Sequence, residues 1–216
     1  MDFLPDHLEA YALEHSSEES EVLKQLNRET HAKVLRPRML SGHLQGRLLA
    51  FISRMLKPAR ILELGTYTGY SAICLAEGLQ PQGKIDTIDH NSELEDFAAH
   101  YFKLAGIRDR VVQHVGEALD VIPALQGPYD LVFMDADKTN YRRYFDLIYP
   151  KMRNGAVLLA DNVLWSGKVL DKACQDDEET QGIIRFNEYI RNHSGVQHLL
   201  LPVRDGVMLV EKTGKG

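Results

Sequence analysis

The fold of this chain is indicated most strongly by the sequence Ile61-Leu62-Glu63-Leu64-Gly65-Thr66-Tyr67-Thr68-Gly69-Tyr70-Ser71. An apolar run that ends in an acid and opens into a glycine turn is typical of a buried strand followed by a helix, the place where open α/β sheets bind nucleotide-like ligands. The two glycines flank three residues, so this is not the G-x-G-x-x-G dinucleotide fingerprint. Bulky Tyr67 at the middle favours a ligand without a pyrophosphate. The alternative is a plain turn between a strand and a helix.

A second acid, Asp89, ends the run Ile85-Asp86-Thr87-Ile88-Asp89. It lies about twenty residues past the glycines, where a carboxylate can accept both hydroxyls of a ribose. The alternative is that Asp89 caps the next helix. In the turn itself, the hydroxyls of Thr66 and Ser71 can donate to a ligand carboxylate near the N-terminus of the following helix.

Strands and helices alternate from this stretch onward, which predicts an α/β fold with a mostly parallel sheet. A hairpin signal, Arg204-Asp205-Gly206, separates the last two strands, which we expect to be antiparallel to each other. The predicted strands are Arg60 to Leu64, Lys84 to Ile88, Val111 to Val115, Tyr129 to Met134, Gly155 to Ala160, Val196 to Val203 and Val207 to Glu211.

We predict one domain over residues 1–216, because the chain has no repeats or linker-like segments and is long enough to bury a core. Residues 1–40 are polar and helix-prone, and we expect them to form a helical appendage. Within them, Ser16 to Glu19 predicts a capped helix start.

Composition narrows the function classes. The net charge of -6, with acids and bases mixed along the chain, argues against a nucleic-acid surface and favours a small-molecule partner. Only two cysteines are present, which favours a reducing compartment. No N-terminal leader pattern appears, and no run approaches the ~20 apolar residues of a membrane span. We therefore expect a cytoplasmic protein with no membrane partner.

Two further apolar runs end in acids. Leu131-Val132-Phe133-Met134 leads into Asp135, and Ala156-Val157-Leu158-Leu159-Ala160 leads into Asp161-Asn162. Because parallel strands present their carboxyl ends on one edge of a sheet, these oxygen donors are expected to converge beside the nucleoside site. Such a set suits a hard divalent cation, Mg²⁺ first, with Ca²⁺ or Mn²⁺ as candidates.

The alternative for this region is purely structural. Asp137 would cap a helix that begins near Lys138, and Asp161 with Asn162 would form a local side-chain turn. Lys138 would then be a solvated helix lysine. Beside a dication, its ammonium pKa would fall, which would make it a candidate base.

With these motifs in place, the chain closely resembles the cation-dependent class I S-adenosylmethionine O-methyltransferases, the family of the caffeoyl-CoA O-methyltransferases, their bacterial relatives and, more distantly, catechol O-methyltransferase. The resemblance covers nearly the whole chain. It implies a Rossmann-like seven-stranded sheet with helices on both faces, a C-terminal antiparallel hairpin and N-terminal helices. It is carried by Glu63 to Ser71, by Asp135-Ala136-Asp137-Lys138-Thr139-Asn140-Tyr141, by Ala160 to Gly167 and by Leu201 to Gly206.

The resemblance also implies roles for individual residues. Asp135, Asp161 and Asn162 would hold the metal, while Lys138 would be the catalytic lysine acting beside Asp135. The methionine end of the cofactor would meet five residues, Ser41, Glu63, Gly65, Ser71 and Asp137. The complete set expected to bind S-adenosylmethionine is Met39, Ser41, Glu63, Gly65, Thr66, Tyr67, Ser71, Asp89, Ala118, Asp135 and Asp137.

Within that set, Asp89 would hold the ribose, Ala118 would lie against the adenine, and Met39 with Leu40 would close over the site. Ser166 falls where the family carries a substrate-contacting asparagine. The loop from Lys168 to about Gln181 falls where the family varies substrate recognition. Its acidic run, Asp176 to Glu179, is also typical of the N-terminus of a solvated helix.

The implied reaction is metal-assisted methyl transfer to a hydroxyl of a catechol-like phenolic molecule. Two alternatives stay open: a methyltransferase acting on another hydroxylated metabolite, and a non-catalytic protein that binds S-adenosylmethionine. The resemblance also implies a homodimer.

Overall fold

The computed structural model describes residues 5–174 and 176–214. These residues fall into two compact units, residues 6–117 and residues 118–214, the second also taking in Pro5. The predicted appendage over residues 1–40 includes residues 1–4, which lie outside the described residues. The predicted variable loop likewise includes Gln175. No helix among the described residues is long and apolar enough to cross a membrane.

The first unit contains three parallel strands and five helices. Strand β1 pairs with β2, and β2 pairs with β3, both in parallel. The central strands β1 and β2 are buried over nearly their whole length. The elements in chain order are α1 (Asp6–Glu14), α2 (Glu21–Lys33), α3 (Gly42–Leu56), β1 (Arg60–Leu64), α4 (Tyr70–Ala76), β2 (Lys84–Asp89), α5 (Glu95–Leu104) and β3 (Val111–Val115).

The N-terminal helices of this unit contribute to its core. Leu23 and Leu26 of α2 are fully buried. The N-cap of this helix is Ser20, whose hydroxyl accepts a hydrogen bond from the amide of Leu23 at 3.3 Å. The predicted helix start at Ser16 to Glu19 is therefore wrong by a few residues. Ser16 instead donates to the main-chain oxygen of Ala12 at 2.6 Å, at the end of α1.

The second unit contains four strands and three helices. Strand β4 pairs with β5 in parallel, while β7 is antiparallel to both β5 and β6. Every residue of β4 is buried. The elements in chain order are α6 (Ala118–Ala124), β4 (Tyr129–Met134), α7 (Tyr141–Ile148), β5 (Met152–Asp161), α8 (Glu178–Arg191), β6 (Val196–Leu201) and β7 (Val207–Lys212).

The seven strands form one mixed sheet in the order β3-β2-β1-β4-β5-β7-β6. The predicted Rossmann-like seven-stranded sheet with a C-terminal antiparallel hairpin is therefore confirmed. The main difference in boundaries lies in β5, which begins at Met152 rather than at Gly155, the predicted start. The acidic run does mark a helix start, since Asp177 is the N-cap of α8 and accepts from the hydroxyl of Thr180 at 2.5 Å.

Candidate active site

The glycine turn after β1 is held against β2 by main-chain hydrogen bonds. The amides of Gly65 and Thr66 both donate to the oxygen of Ile88, at 2.9 and 3.3 Å. Gly65 and Gly69 have φ angles of 98° and 88°, which favour glycine. A Cβ added at Gly69 would lie 2.6 Å from the ring of Phe102. Both glycines are therefore required by the backbone of this turn.

The carboxylate of Asp89 organises the loops on either side of it. It accepts the amide of Tyr67 at 2.7 Å and the amide of Asn91 at 2.9 Å. The 3₁₀ turn that follows, Ser92–Leu94, is capped by Asn91, which accepts from the amide of Glu93 at 3.0 Å. Asp89 is thus not the cap of that turn, and it stays the predicted ribose ligand.

A shallow cleft lies beside Asp89 within this unit. Its walls carry both apolar and hydrogen-bonding groups, as expected of a site for a small polar ligand. The lining residues are Thr66, Tyr67, Asp89, Asn91, Leu94, Glu95, Gln113, His114 and Val115.

A buried hydrogen-bond network lies under the turn. Thr87 donates to the carboxylate of fully buried Glu63 at 2.5 Å, and its oxygen lies 2.6 Å from the hydroxyl of Thr66. Because Thr87 uses its proton on Glu63, Thr66 is the donor to Thr87. The hydroxyl of Thr66 is therefore occupied in this structure, and Ser71, buried in the first turn of α4, stays the predicted hydroxyl donor to a ligand.

The segment before α3 carries the remaining predicted cofactor residues of this unit. Met39 ends the 3₁₀ turn Pro37–Met39 and is 56% exposed, whereas Leu40 and Ser41 are buried. Ser41 is also the N-cap residue of α3. In the second unit, Ala118 begins α6 and is buried.

The strand-end acids of the second unit lie side by side. Met134 of β4 pairs with Ala160 of β5 in parallel register, so Asp135 and Asp161 follow paired residues at the same edge. Asp161 is only 4% exposed, and its Oδ1 accepts the amide of Asn162 at 2.8 Å. This local bond belongs to the predicted side-chain turn, and it does not exclude ligation by the other groups.

Lys138 lies buried between these acids. Its ammonium donates to Oδ1 of Asp135 at 2.6 Å and to the hydroxyl of Tyr141 at 2.7 Å. Burial alone lowers the pKa of Lys138, but the charges of Asp135 and Asp161 outweigh it, and the pKa lies above its ordinary value. The alternative of a solvated helix lysine is wrong, since Lys138 is 6% exposed.

Asp137 has the structural role that the alternative predicted. It is the N-cap of the 3₁₀ turn Lys138–Asn140, where it accepts from the amide of Thr139 at 3.1 Å and from the side chains of Thr139 and Asn140. Partial burial acts to raise the pKa of Asp137, yet these hydrogen bonds hold it below its ordinary value. Its predicted contact with the cofactor stays a prediction.

The donor set fits a hard cation. The described residues contain no cluster of three or more His, Cys, Asp or Glu side chains suited to a metal ion. The predicted set is of another kind, because it joins two carboxylates, Asp135 and Asp161, with the amide of Asn162. Oxygen donors of this type are those that Mg²⁺ and Ca²⁺ prefer.

Comparison with known proteins decides the family. A profile described as O-methyltransferase matches residues 13–213. The chain belongs to this O-methyltransferase family. The resemblance predicted from the motifs is therefore confirmed.

Individual family members resemble the chain over most of its length. The catechol O-methyltransferase of Mycobacterium tuberculosis is 37% identical over 161 residues, 74% of this chain and 72% of that protein. The caffeoyl-CoA O-methyltransferase of Stellaria longipes is 30% identical over 214 residues, 94% of this chain and 88% of that protein. These relatives differ in the substrates that their names give.

Solved structures of the family share the fold. The O-methyltransferase TomG from Streptomyces achromogenes, involved in tomaymycin synthesis and solved with S-adenosylmethionine, superposes with a TM-score of 0.89 at 34% identity and 96% coverage of both chains. An O-methyltransferase from Bacillus cereus, solved with SAH, has a TM-score of 0.89 at 30% identity, covering 96% of this chain and 97% of that chain.

Two residues of this family member were missed by the sequence prediction. Tyr141 lies in a family motif that predicts no role for it, yet its buried hydroxyl accepts a hydrogen bond from Lys138 and donates one to the main-chain oxygen of Asp161. Thr87 links Glu63 to the glycine turn. A signal existed for Thr87, since it sits two residues before Asp89 on the same face of a buried strand.

Proposed function

We propose that this member of the O-methyltransferase family transfers the methyl group of S-adenosylmethionine to a hydroxyl of a catechol-like small molecule with the help of a divalent cation, Mg²⁺ first. The observation that carries the proposal is the side-by-side placement of Asp135 and Asp161 after β4 and β5, with Lys138 buried between them. A protein that only binds a nucleoside ligand has no need of this arrangement.

The first unit supplies the groups proposed to bind the cofactor. Asp89 would accept the ribose hydroxyls in the cleft, and the glycine turn would let the backbone approach the methionine end. The binding of S-adenosylmethionine by TomG and of SAH by the Bacillus cereus protein supports this assignment. The sulfonium of S-adenosylmethionine supplies an already activated methyl group, so the protein is left to align, desolvate and stabilise charge.

The second unit supplies the groups proposed to act on the substrate hydroxyl. Asp135, Asp161 and Asn162 would hold the cation, which when bound lowers the pKa of a neighbouring hydroxyl. Without it, the two carboxylates keep Lys138 protonated. Once a bound cation neutralises those carboxylates, the pKa of Lys138 falls. Lys138 would then lose its own proton to solvent, accept the proton of the substrate hydroxyl, and stay beside the phenolate as a positive charge.

The test is methyl transfer from labelled S-adenosylmethionine to a panel of catechols, including caffeate and its coenzyme A ester, with Mg²⁺ and with excess EDTA. We expect transfer that disappears on chelation. Asp135→Asn should lose at least about 100-fold in turnover while it keeps most SAH affinity, because a metal ligand is lost. Asp120→Asn, an exposed acid in α6, is the matched control and should behave as wild type.

Each contrary result is informative. Transfer that is indifferent to EDTA would contradict the metal assignment. If the protein binds the cofactor but methylates no catechol, the substrate would be another hydroxylated metabolite. If it methylates none of a broad panel of hydroxylated metabolites either, the result would favour a non-catalytic binding protein. The predicted homodimer and the cytoplasmic location stay predictions.

A further inference from the structure

Two tyrosines, one in the glycine turn and one at the start of α4, contact residues at the two ends of α2. The hydroxyl of Tyr67 donates to the main-chain oxygen of Arg36 at 2.9 Å, just beyond the C-terminal end of the helix. The hydroxyl of Tyr70 donates to the carboxylate of Glu19, just before its N-terminal end. The turn proposed to bind the cofactor and the helix that follows it are thus fastened to the two ends of one N-terminal helix.

The two attachments differ in kind. Tyr70 is 2% exposed, and its hydrogen bond to Glu19 is partly buried. The Tyr67 bond lies at the surface, where it can open without unfolding the unit. Tyr67 also has a φ of 47°, a left-handed conformation that is costly for a residue with a side chain. A glycine or asparagine would fit this position with less strain, which points to a role for the tyrosine side chain.

Tyr67 connects the turn to the segment that leads into α3. Its amide donates to Asp89 at 2.7 Å, and its hydroxyl reaches Arg36. After Arg36 come the turn Pro37–Met39 and then the buried pair Leu40 and Ser41. We call residues 36–41 the strap.

The strap also has apolar surface available for burial. Leu35, the residue before it, is 96% exposed, and Met39 within it is 56% exposed. Large apolar side chains with this much exposure are candidates for contact with a ligand or with a rearranged segment. A strap that moves against an occupied cleft has such surface to bury.

We propose that Tyr67 is a positioning residue that latches the strap to the glycine turn, and that opening of this one hydrogen bond gates exchange of the cofactor. The identity of the ligand, S-adenosylmethionine or SAH, rests on the proposed function. Because the amide of Tyr67 bonds Asp89 while its hydroxyl bonds the strap, a ligand held by Asp89 stabilises the same residue that keeps the strap in place.

The latch is tested in the free protein by trypsin. Arg36 precedes Pro37 and resists cleavage, whereas Arg38 is exposed and precedes Met39. Tyr67→Phe removes only the hydroxyl, so cleavage after Arg38 should become about 2- to 12-fold faster, the factor that one net hydrogen bond contributes. Tyr11→Phe, a tyrosine that is 61% exposed on α1, is the control and should be cut at the wild-type rate. An unchanged rate in Tyr67→Phe would overturn the latch.

The gate is tested by the dissociation rate of SAH, measured by stopped flow. Tyr67→Phe should release SAH about 2- to 12-fold faster while its melting temperature stays close to that of wild type. A lower melting temperature with an unchanged release rate would indicate a merely structural role and overturn the gate. If the wild-type protein does not bind SAH, the proposed function and the gate both fail, while the cleavage experiment still decides the latch.

Discussion

The hydroxyl of Tyr141 donates to the main-chain oxygen of Asp161 at 3.0 Å. The hydroxyl oxygen of Tyr141 also lies 3.2 Å from the main-chain oxygen of Met134, and it accepts a hydrogen bond from the ammonium of Lys138 at 2.7 Å. One buried hydroxyl therefore joins the ends of β4 and β5 to the lysine between their acids. The spacing of the proposed metal ligands depends on a residue that is not itself a ligand.

Tyr141→Phe should disturb this arrangement without removing a ligand. The variant leaves Lys138 without one acceptor in a buried site, so we expect a loss of about 1–3 kcal/mol in the free energy of unfolding, measured in urea. Mg²⁺ affinity should fall by about 10- to 100-fold, because residues that orient metal ligands typically contribute that much.

The matched control for this variant is Tyr189→Phe. The Tyr189 hydroxyl donates to the exposed carboxylate of Asp146 at 2.8 Å, so its loss should change stability by no more than about 0.5 kcal/mol. If the two variants were equally stable and bound Mg²⁺ equally well, Tyr141 would have no special role at the strand ends.

Gly182 of α8 determines how closely that helix approaches Lys138. A Cβ at this position would lie 2.4 Å from the main-chain oxygen of Lys138 and 2.8 Å from Cα of Thr139. Helix propensity alone favours Gly182→Ala by about 1 kcal/mol. We expect the opposite sign, a destabilisation of about 1–3 kcal/mol, because backbone atoms must move apart.

The same displacement should lower methyl transfer, since Lys138 is carried by the backbone that α8 pushes. Thermal unfolding and steady-state turnover measure the two effects. Arg185→Ala, an exposed position on the same helix, controls for altered helix propensity. A Gly182→Ala variant more stable than wild type would mean that α8 can retreat without cost.

The network beneath the glycine turn offers a test based on two threonines. Thr87 and Thr30 are both fully buried. Thr87 donates to Glu63 at 2.5 Å, whereas the hydroxyl of Thr30 has no hydrogen-bond partner among the described residues. The substitution of valine for threonine keeps the shape of each side chain and removes only its polarity.

Thr87→Val should therefore lose about 1–3 kcal/mol in the free energy of unfolding and bind SAH more weakly, because Glu63 loses a donor and Thr66 loses its acceptor. Thr30→Val should be neutral or stabilising, since it removes a buried hydroxyl that makes no bond. Equal effects of the two substitutions on stability would contradict the assigned network.

The sequence was informative wherever a pattern is local. Three predicted strands, Arg60 to Leu64, Val111 to Val115 and Tyr129 to Met134, match the structure residue for residue. Apolar runs with glycine or acidic ends specify buried parallel strands strongly, because both faces of such a strand must be covered. The side-by-side position of Asp135 and Asp161 followed from the same rule.

The sequence was less informative where two candidates compete locally or where partners are distant. Ser16 and Ser20 are both plausible helix caps, and only the end of α1 at Glu14 decides between them. Tyr141, the first residue of α7, acquires its role from contact with Asp161, twenty residues away at the end of β5. No periodic pattern in the sequence predicts such a contact, because it depends on tertiary packing.

The two cysteines should differ strongly in reactivity. Burial raises the pKa of the Cys74 thiol to about 12, and the nearby guanidinium of Arg47 only partly opposes this. Cys174 is partly exposed, although desolvation and the carboxylate of Asp171 raise the pKa of its thiol as well. At about pH 8, DTNB should therefore modify one thiol per chain quickly, at Cys174, and Cys74 only as fast as the protein unfolds, because the thiolate is the reactive species.

The same pKa shift sets a pH dependence of stability. The unfolded thiol loses its proton near pH 8.5, whereas the folded one keeps it to about pH 12, so the folded state binds more protons in this range. The stability that Cys74 contributes is complete below about pH 8.5 and falls by up to about 1.4 kcal/mol per pH unit above it. Urea unfolding between pH 8 and about 10 should thus show a steeper decline for wild type than for Cys74→Ala. Parallel declines, or two thiols that react at one rate, would contradict the burial of Cys74.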